Sequence, residues 1–186
     1  MVERFVGCFS KLDEMTANEV TDPIAWGLSV GEPDIYGCKR WQPIRIDTPR
    51  AALEAIYAKL PARFPPVYEH MILSYRWAEV DLQLYRLLPN PPGPGLTGLL
   101  MEMSKDRGLW NCLLPAGYVQ FGKGSDGDYD PVCFDYTTRK KSRECRIVKI
   151  DHEEILCNER VRVVSELAPT FETLVVSTID VANRQH

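Results

Sequence analysis

Tyr118-Val119-Gln120-Phe121-Gly122-Lys123-Gly124-Ser125-Asp126-Gly127-Asp128-Tyr129-Asp130-Pro131-Val132-Cys133-Phe134-Asp135-Tyr136 is the stretch whose reading decides the fold. An apolar run enters a turn rich in glycine and aspartate, and Val132, Phe134 and Tyr136 then alternate with Cys133 and Asp135. Period-two alternation after a turn of this composition predicts a hairpin whose second strand is half-buried. A polar turn over 137–143 returns the chain to a further strand, Arg146-Ile147-Val148-Lys149-Ile150. Strand character recurs at Val161-Arg162-Val163-Val164. Strands this close in sequence leave no room for helical crossovers, so the sheet is expected to be mostly antiparallel.

On the C-terminal side, Ala168-Pro169-Thr170 opens a helix with Phe171, Leu174, Val175, Thr178 and Ile179 on one face. On the N-terminal side, Asp47-Thr48-Pro49 has the form of a helix start, because proline's missing N–H costs nothing at the first helical position. Leu53, Ile56, Tyr57 and Leu60 follow at helical spacing, and Pro61 closes the element. A second helix is expected from Pro65-Pro66 to about Trp77, with Val67, Met71 and Ile72 inward. Val80, Leu82 and Leu84 alternate as in a strand. Residues 89–95 hold four prolines and two glycines and predict an exposed loop. Thr97 begins a short helix that runs to about Lys105.

Helices, then successive strands, then a closing helix give an α+β class, with a central, mostly antiparallel sheet flanked by helices in a single domain. Residues 1–46 form an extension packed on the core. Their aromatic anchors Phe5, Phe9, Trp26, Tyr36 and Trp41 argue against disorder. The domain proper spans 47–182.

The chain has 186 residues, 45% hydrophobic and 26% charged, enough for a core without disulfides or metal. Its formal charge of −4 argues against direct nucleic-acid binding, which favours a basic surface. The charges at Glu3 and Arg4 leave no apolar run for a signal peptide, and no stretch reaches transmembrane length. A soluble, cytoplasmic protein without a membrane partner is expected. Six cysteines are scattered without a C-x-x-C pair, the pattern of small buried hydrophobes kept reduced.

The motifs that could carry chemistry fail on context. Residues 122–127 match G-x-G-x-x-G, but a nucleotide site requires a helix to open at those glycines. Here Asp128, Asp130 and Pro131 follow and lead into a strand. Asp126, Asp128 and Asp130 imitate the start of a calcium loop, yet Pro131 and Thr137 occupy the positions that need glycine and glutamate. His152-Glu153-Glu154 lacks the second histidine of a zinc protease helix. No cofactor or metal is expected. A pairing of His152 with Cys157 or Cys133 depends on proximity in space and stays open at this level. The basic run 139–143 reads as a solvated hairpin tip, with steering of an acidic partner as the functional alternative.

From Leu60-Pro61 onward the chain resembles the SUKH (Smi/Knr-like) superfamily. The resemblance rests on Leu60-Pro61 at a helix end, on the glycine/aspartate turn from Phe121 to Asp128, and on Val132-Cys133-Phe134-Asp135. It continues through Ile147-Val148-Lys149-Ile150-Asp151-His152-Glu153, a strand in that family, to the helix start Ala168-Pro169-Thr170-Phe171-Glu172-Thr173-Leu174. Ser74-Tyr75-Arg76-Trp77-Ala78 stands where members usually carry an Asn-Gly-Gly-like turn.

This likeness implies an α+β fold and a non-enzymatic protein-binding role. The bacterial members are commonly immunity proteins that neutralise toxins, many of them nucleases. A regulatory scaffold like the fungal relatives is the alternative, and a small cysteine/histidine enzyme is the rival from another class. The expected partner-binding residues are Asp126, Asp128, Asp130 and Asp135, with Trp77 and Trp110 as further candidates. Small-molecule binding is not expected.

Overall fold

The computed structural model describes residues 1–12, 25–33, 35, 39–125, 127–137 and 143–184, with backbone alone at Ala25 and Trp26. In chain order, α1 (Val2–Val6), α2 (Phe9–Leu12), β1 (Ser29–Val30), β2 (Arg40–Trp41) and β3 (Ile44–Arg45) precede α3 (Ala52–Tyr57) and α4 (Pro66–Ser74). There follow β4 (Tyr75–Arg76), β5 (Val80–Asp81), β6 (Arg86–Leu87), α5 (Thr97–Met103) and α6 (Arg107–Leu113). The last third contributes β7 (Tyr118–Lys123), β8 (Pro131–Asp135), β9 (Arg146–Ile150), α7 (His152–Asn158), β10 (Val163–Ala168) and α8 (Phe171–Arg184). The fold is α+β. Its central sheet has six strands in the order β10-β9-β8-β7-β6-β5, each antiparallel to its neighbour.

Strand β8 is buried at all five positions rather than half-buried. The reason lies in the register: Phe134 sits between Val119 and Ile147, while Cys133 sits between Gln120 and Val148. Val119, Phe134 and Ile147 face the main core, and Cys133 and Val148 face a second cluster with Leu109, Leu113, Ile150 and Ile155. Apolar residues on both faces require helical cover on both sides. Helices α6 and α7, neither expected from the sequence, carry Leu109, Leu113 and Ile155 and roof the second face.

The main core centres on Phe134. Its ring stacks on Phe121 at 4.3 Å and meets Tyr68 of α4 at 5.0 Å and Phe171 of α8 at 5.7 Å. Edge-to-face and offset pairs of this kind contribute about 0.5–1.5 kcal/mol each beyond their area burial. Phe5 meets Phe171 at 6.4 Å and Phe9 meets Trp77 at 6.2 Å, so α1 and α2 share this core.

Polar groups buried at the joints fix the helices. Glu69 of α4 is almost fully enclosed and accepts from Arg50, Arg143 and the Tyr57 hydroxyl. Arg143, which also donates to the Phe64 carbonyl, therefore ties the segment entering β9 to α4. The remainder of the basic run, 139–142, lies outside the described residues. Arg76 is 1% exposed and lacks a carboxylate partner among the described residues. Its guanidinium donates instead to Thr48 Oγ1, Ile72 O, Tyr75 O and Gly95 O.

That use of Thr48 explains one departure from expectation. The 47–49 helix start is spent on Arg76 and a Thr48 amide bond to Leu73 O, and α3 begins later, at Ala52. Helix α4 likewise stops at Ser74, because Tyr75 and Arg76 turn extended to pair with β3. The 80–84 alternation is not one strand. Gln83 adopts a left-handed conformation (φ 68°), and β5 folds back on β6 through a tight turn that leaves Leu84 exposed.

The 89–95 segment is irregular, yet its first half is buried. Asn90 bridges to Trp77 through the backbone and donates from Nδ2 to Ile72 O (3.1 Å) and Tyr75 O (2.8 Å). Residues 151–153 turn from strand into helix because the Asp151 carboxylate caps α7 by accepting from Glu154 N. Among the described residues, no helix is long and apolar enough to cross a membrane.

Two substitutions test this arrangement by urea unfolding. Asn90→Ala removes two bonds to otherwise buried carbonyls and should cost about 2 kcal/mol. The Tyr68 hydroxyl is fully buried without a hydrogen-bond partner among the described residues, so Tyr68→Phe should be neutral or stabilising by up to about 1 kcal/mol.

Candidate partner-binding face

The turn between β7 and β8 lies at one end of the sheet, beside the first turn of α7. Each glycine of its G-x-G-x-x-G pattern has a packing or backbone reason. A Cβ on Gly122 would lie 2.8 Å from the Arg86 carbonyl, where β6 passes against β7. One on Gly124 would collide with the Asp128 carboxylate, which folds over it. Gly127 sits at φ +82°, a conformation that side chains disfavour. The glycines build a hairpin, with Gly124 N bonded to Asp130 O and Asp128 N to Ser125 O.

The aspartates of the turn are held from inside the molecule. Asp128 Oδ2 accepts from Lys149 Nζ at 2.6 Å, and Oδ1 accepts from the Asp130 amide at 2.8 Å. Burial pushes the Asp128 carboxyl up, but the ammonium and the amide outweigh it and hold it below the usual carboxylate range. Asp130 Oδ1 receives the backbone N–H of His152 at 2.9 Å and lies 2.8 Å from its ring Nδ1. This carboxylate, with smaller contributions from Glu153 and Asp151, raises the imidazole above its ordinary value.

Next to the turn, Ser125 Oγ donates to Asp81 at 2.8 Å, and Arg86 and Lys123 pair with Glu79 and Asp81. Arg162 pairs with Asp151 across the α7 start. Most of the described acids of this face are thus paired with a base. With Glu153 and Glu154 at the α7 start, the described face is nonetheless net acidic and favours approach of positive charge.

Tyr129 is the exception to this internal engagement. It lies between the two pinned aspartates, is 64% exposed, and its ring meets the edge of His152 at 6.2 Å. The sequence reading passed over it. The signal was available: an aromatic ring in a turn of glycines and aspartates meets no conformational need of the turn.

The other residues expected at the partner surface distribute unevenly. Asp126 lies outside the described residues. Asp135 is completely buried, accepting from Thr137 N and Oγ1 and from Arg146 Nε at 2.6 Å, so it anchors the β8–β9 connection and cannot touch a partner. Trp77 is also fully buried, with its ring N–H donated to Leu88 O at 2.9 Å; it is a core residue. Trp110 is half-buried against the main core. Only Asp128 and Asp130 of the six remain at the described face.

His152 spends Nδ1 on Asp130, and Cys133 lies in the second core with its thiol pushed well up, chiefly by burial. Cys133 is thus unfit as a nucleophilic thiolate at neutral pH. Cys157 is exposed on α7. No group of three or more histidine, cysteine or acidic side chains converges as a metal site among the described residues. In native alkylation at neutral pH, Cys157 should label first among the described cysteines. Cys133 should label only on unfolding, which mass mapping of the modified sites would read out.

Comparison of the chain with protein-family models, with curated proteins and with solved structures gives no match.

Proposed function

We propose that this chain is a SUKH-like, non-enzymatic binding domain of the immunity type, and that the 122–130 turn with the start of α7 is its contact face. The observation that carries the reading is Tyr129, exposed on a turn whose neighbours on both sides are fixed by ion pairs. A rigid aromatic on a preorganised support loses little side-chain freedom on binding, which is why tyrosine is common among interface hot spots. The expected partner is a toxin of the nuclease kind, implied by the resemblance in the sequence. The net acidity of the described face supports that expectation. The face fits a partner with a recess for the Tyr129 ring rimmed by basic groups.

A regulatory scaffold is the second reading and differs from the first mainly in its partner. The cysteine/histidine enzyme has less support, since burial silences Cys133.

The test is titration of the purified protein against the product of a neighbouring toxin-like gene by calorimetry. A defined complex is expected, with Tyr129→Ala weakening it by about 30-fold or more, the scale of a 2 kcal/mol hot spot. An unchanged affinity in that variant would remove the proposed face. Absence of binding to any neighbouring product would count against the immunity role.

A further inference from the structure

The turn that presents Tyr129 is anchored twice, and the anchors differ in kind. Lys149 of β9 holds Asp128 through its amine at 2.6 Å. His152 holds Asp130 with a ring whose charge changes near neutrality. We propose that the Asp130–His152 contact is a proton-operated latch, tight when the imidazole is charged and loose when it is not, which sets how firmly the turn presents Tyr129.

The surroundings of His152 favour its charged form from several sides. From the turn come Asp130 at 2.8 Å, the more distant Asp128, and the Tyr129 ring. From its own helix come Asp151 and Glu153. Opposing them are Lys149, committed to Asp128, and Arg162, committed to Asp151. The nearest carboxylate therefore dominates.

Deprotonation does not release the turn entirely. Asp130 keeps the His152 backbone N–H, and a neutral ring can still donate from Nδ1. What disappears is the charge assistance, which makes such bonds about twice as strong.

The sign follows from the raised imidazole. A group whose folded value lies above its unfolded value of 6.5 stabilises fully below 6.5 and loses that contribution as pH rises through the folded value. The latch is accordingly closed below 6.5 and loosens as pH rises through the folded value above it.

The latch concerns the same face as the proposed function, but the experiment uses the protein alone and stands whether or not a toxin partner exists. Imidazole and backbone amide resonances would be followed by NMR from pH 5.5 to 9. His152 is expected to titrate above 6.5, with the Tyr129 and Asp130 amides shifting at the same midpoint and gaining fast-timescale motion above it. In Asp130→Asn the histidine midpoint should fall toward 6.5. In His152→Gln, which retains the backbone bond, the amide shifts should become flat across the range. A His152 midpoint at or below 6.5, or amide shifts that persist in His152→Gln, would overturn the proposal. If the latch passes and neighbouring toxins still fail to bind, the immunity reading falls while the latch stands.

Discussion

The constraint on which this structure depends is that β8 has no face for water. A strand with apolar side chains pointing both ways cannot lie at the surface of a two-layer sheet. It requires helices above and below. Phe134 recruits α4, through Tyr68, and α8, through Phe171, on one side, while Cys133 faces the cluster under α6 and α7 on the other. The N-terminal helices attach to the same assembly through Phe5 and Phe9. Glu69 and Arg76 then lock the periphery, one as a carboxylate among two arginines and a tyrosine, the other as a cation satisfied by carbonyls and a hydroxyl. Neither could be removed without leaving its partners short of a bond.

Much of this was legible in the sequence, and the reasons for the rest are specific. The β7–β8 hairpin, β9 and α8 announced themselves because their periodicities run for five or more residues between clear turns. Helices α6 and α7 escaped because neither opens with the proline or threonine that marked the helices expected from the sequence. Their real signals were single capping residues, Asp106 accepting from Leu109 N and Asp151 accepting from Glu154 N. The 80–84 alternation misled because a hairpin with a two-residue arm happens to keep period two across its turn. Thr48 misled because a residue suited to capping a helix is equally suited to receiving a buried arginine.

The candidate face shows the same division. Sequence placed the turn and its aspartates, since local composition governs turns. It could not tell which aspartates were spent, because their partners Lys149, His152 and Arg146 come from elements distant along the chain. The described aspartates of an acidic string thus became internally paired on folding. Trp77 illustrates the converse: its burial depends on Leu88, Asn90 and Phe9, which no local pattern brings together. Exposure belongs to the tertiary structure, and it selected Tyr129 instead.

Strand β10 ends the sheet on one side, and its pairing with β9 slips twice, between Val163 and Ser165 and again between Glu166 and Ala168. Val163 and Val164 are exposed there. An apolar terminal strand of even spacing would be a template for aggregation. The two slips break the row of outward-facing amides and carbonyls, so a foreign strand laid alongside would lose step after a few bonds. The protein can therefore keep valines at its margin without inviting end-to-end polymerisation, and sheet extension is an unfavourable route by which to take on a partner.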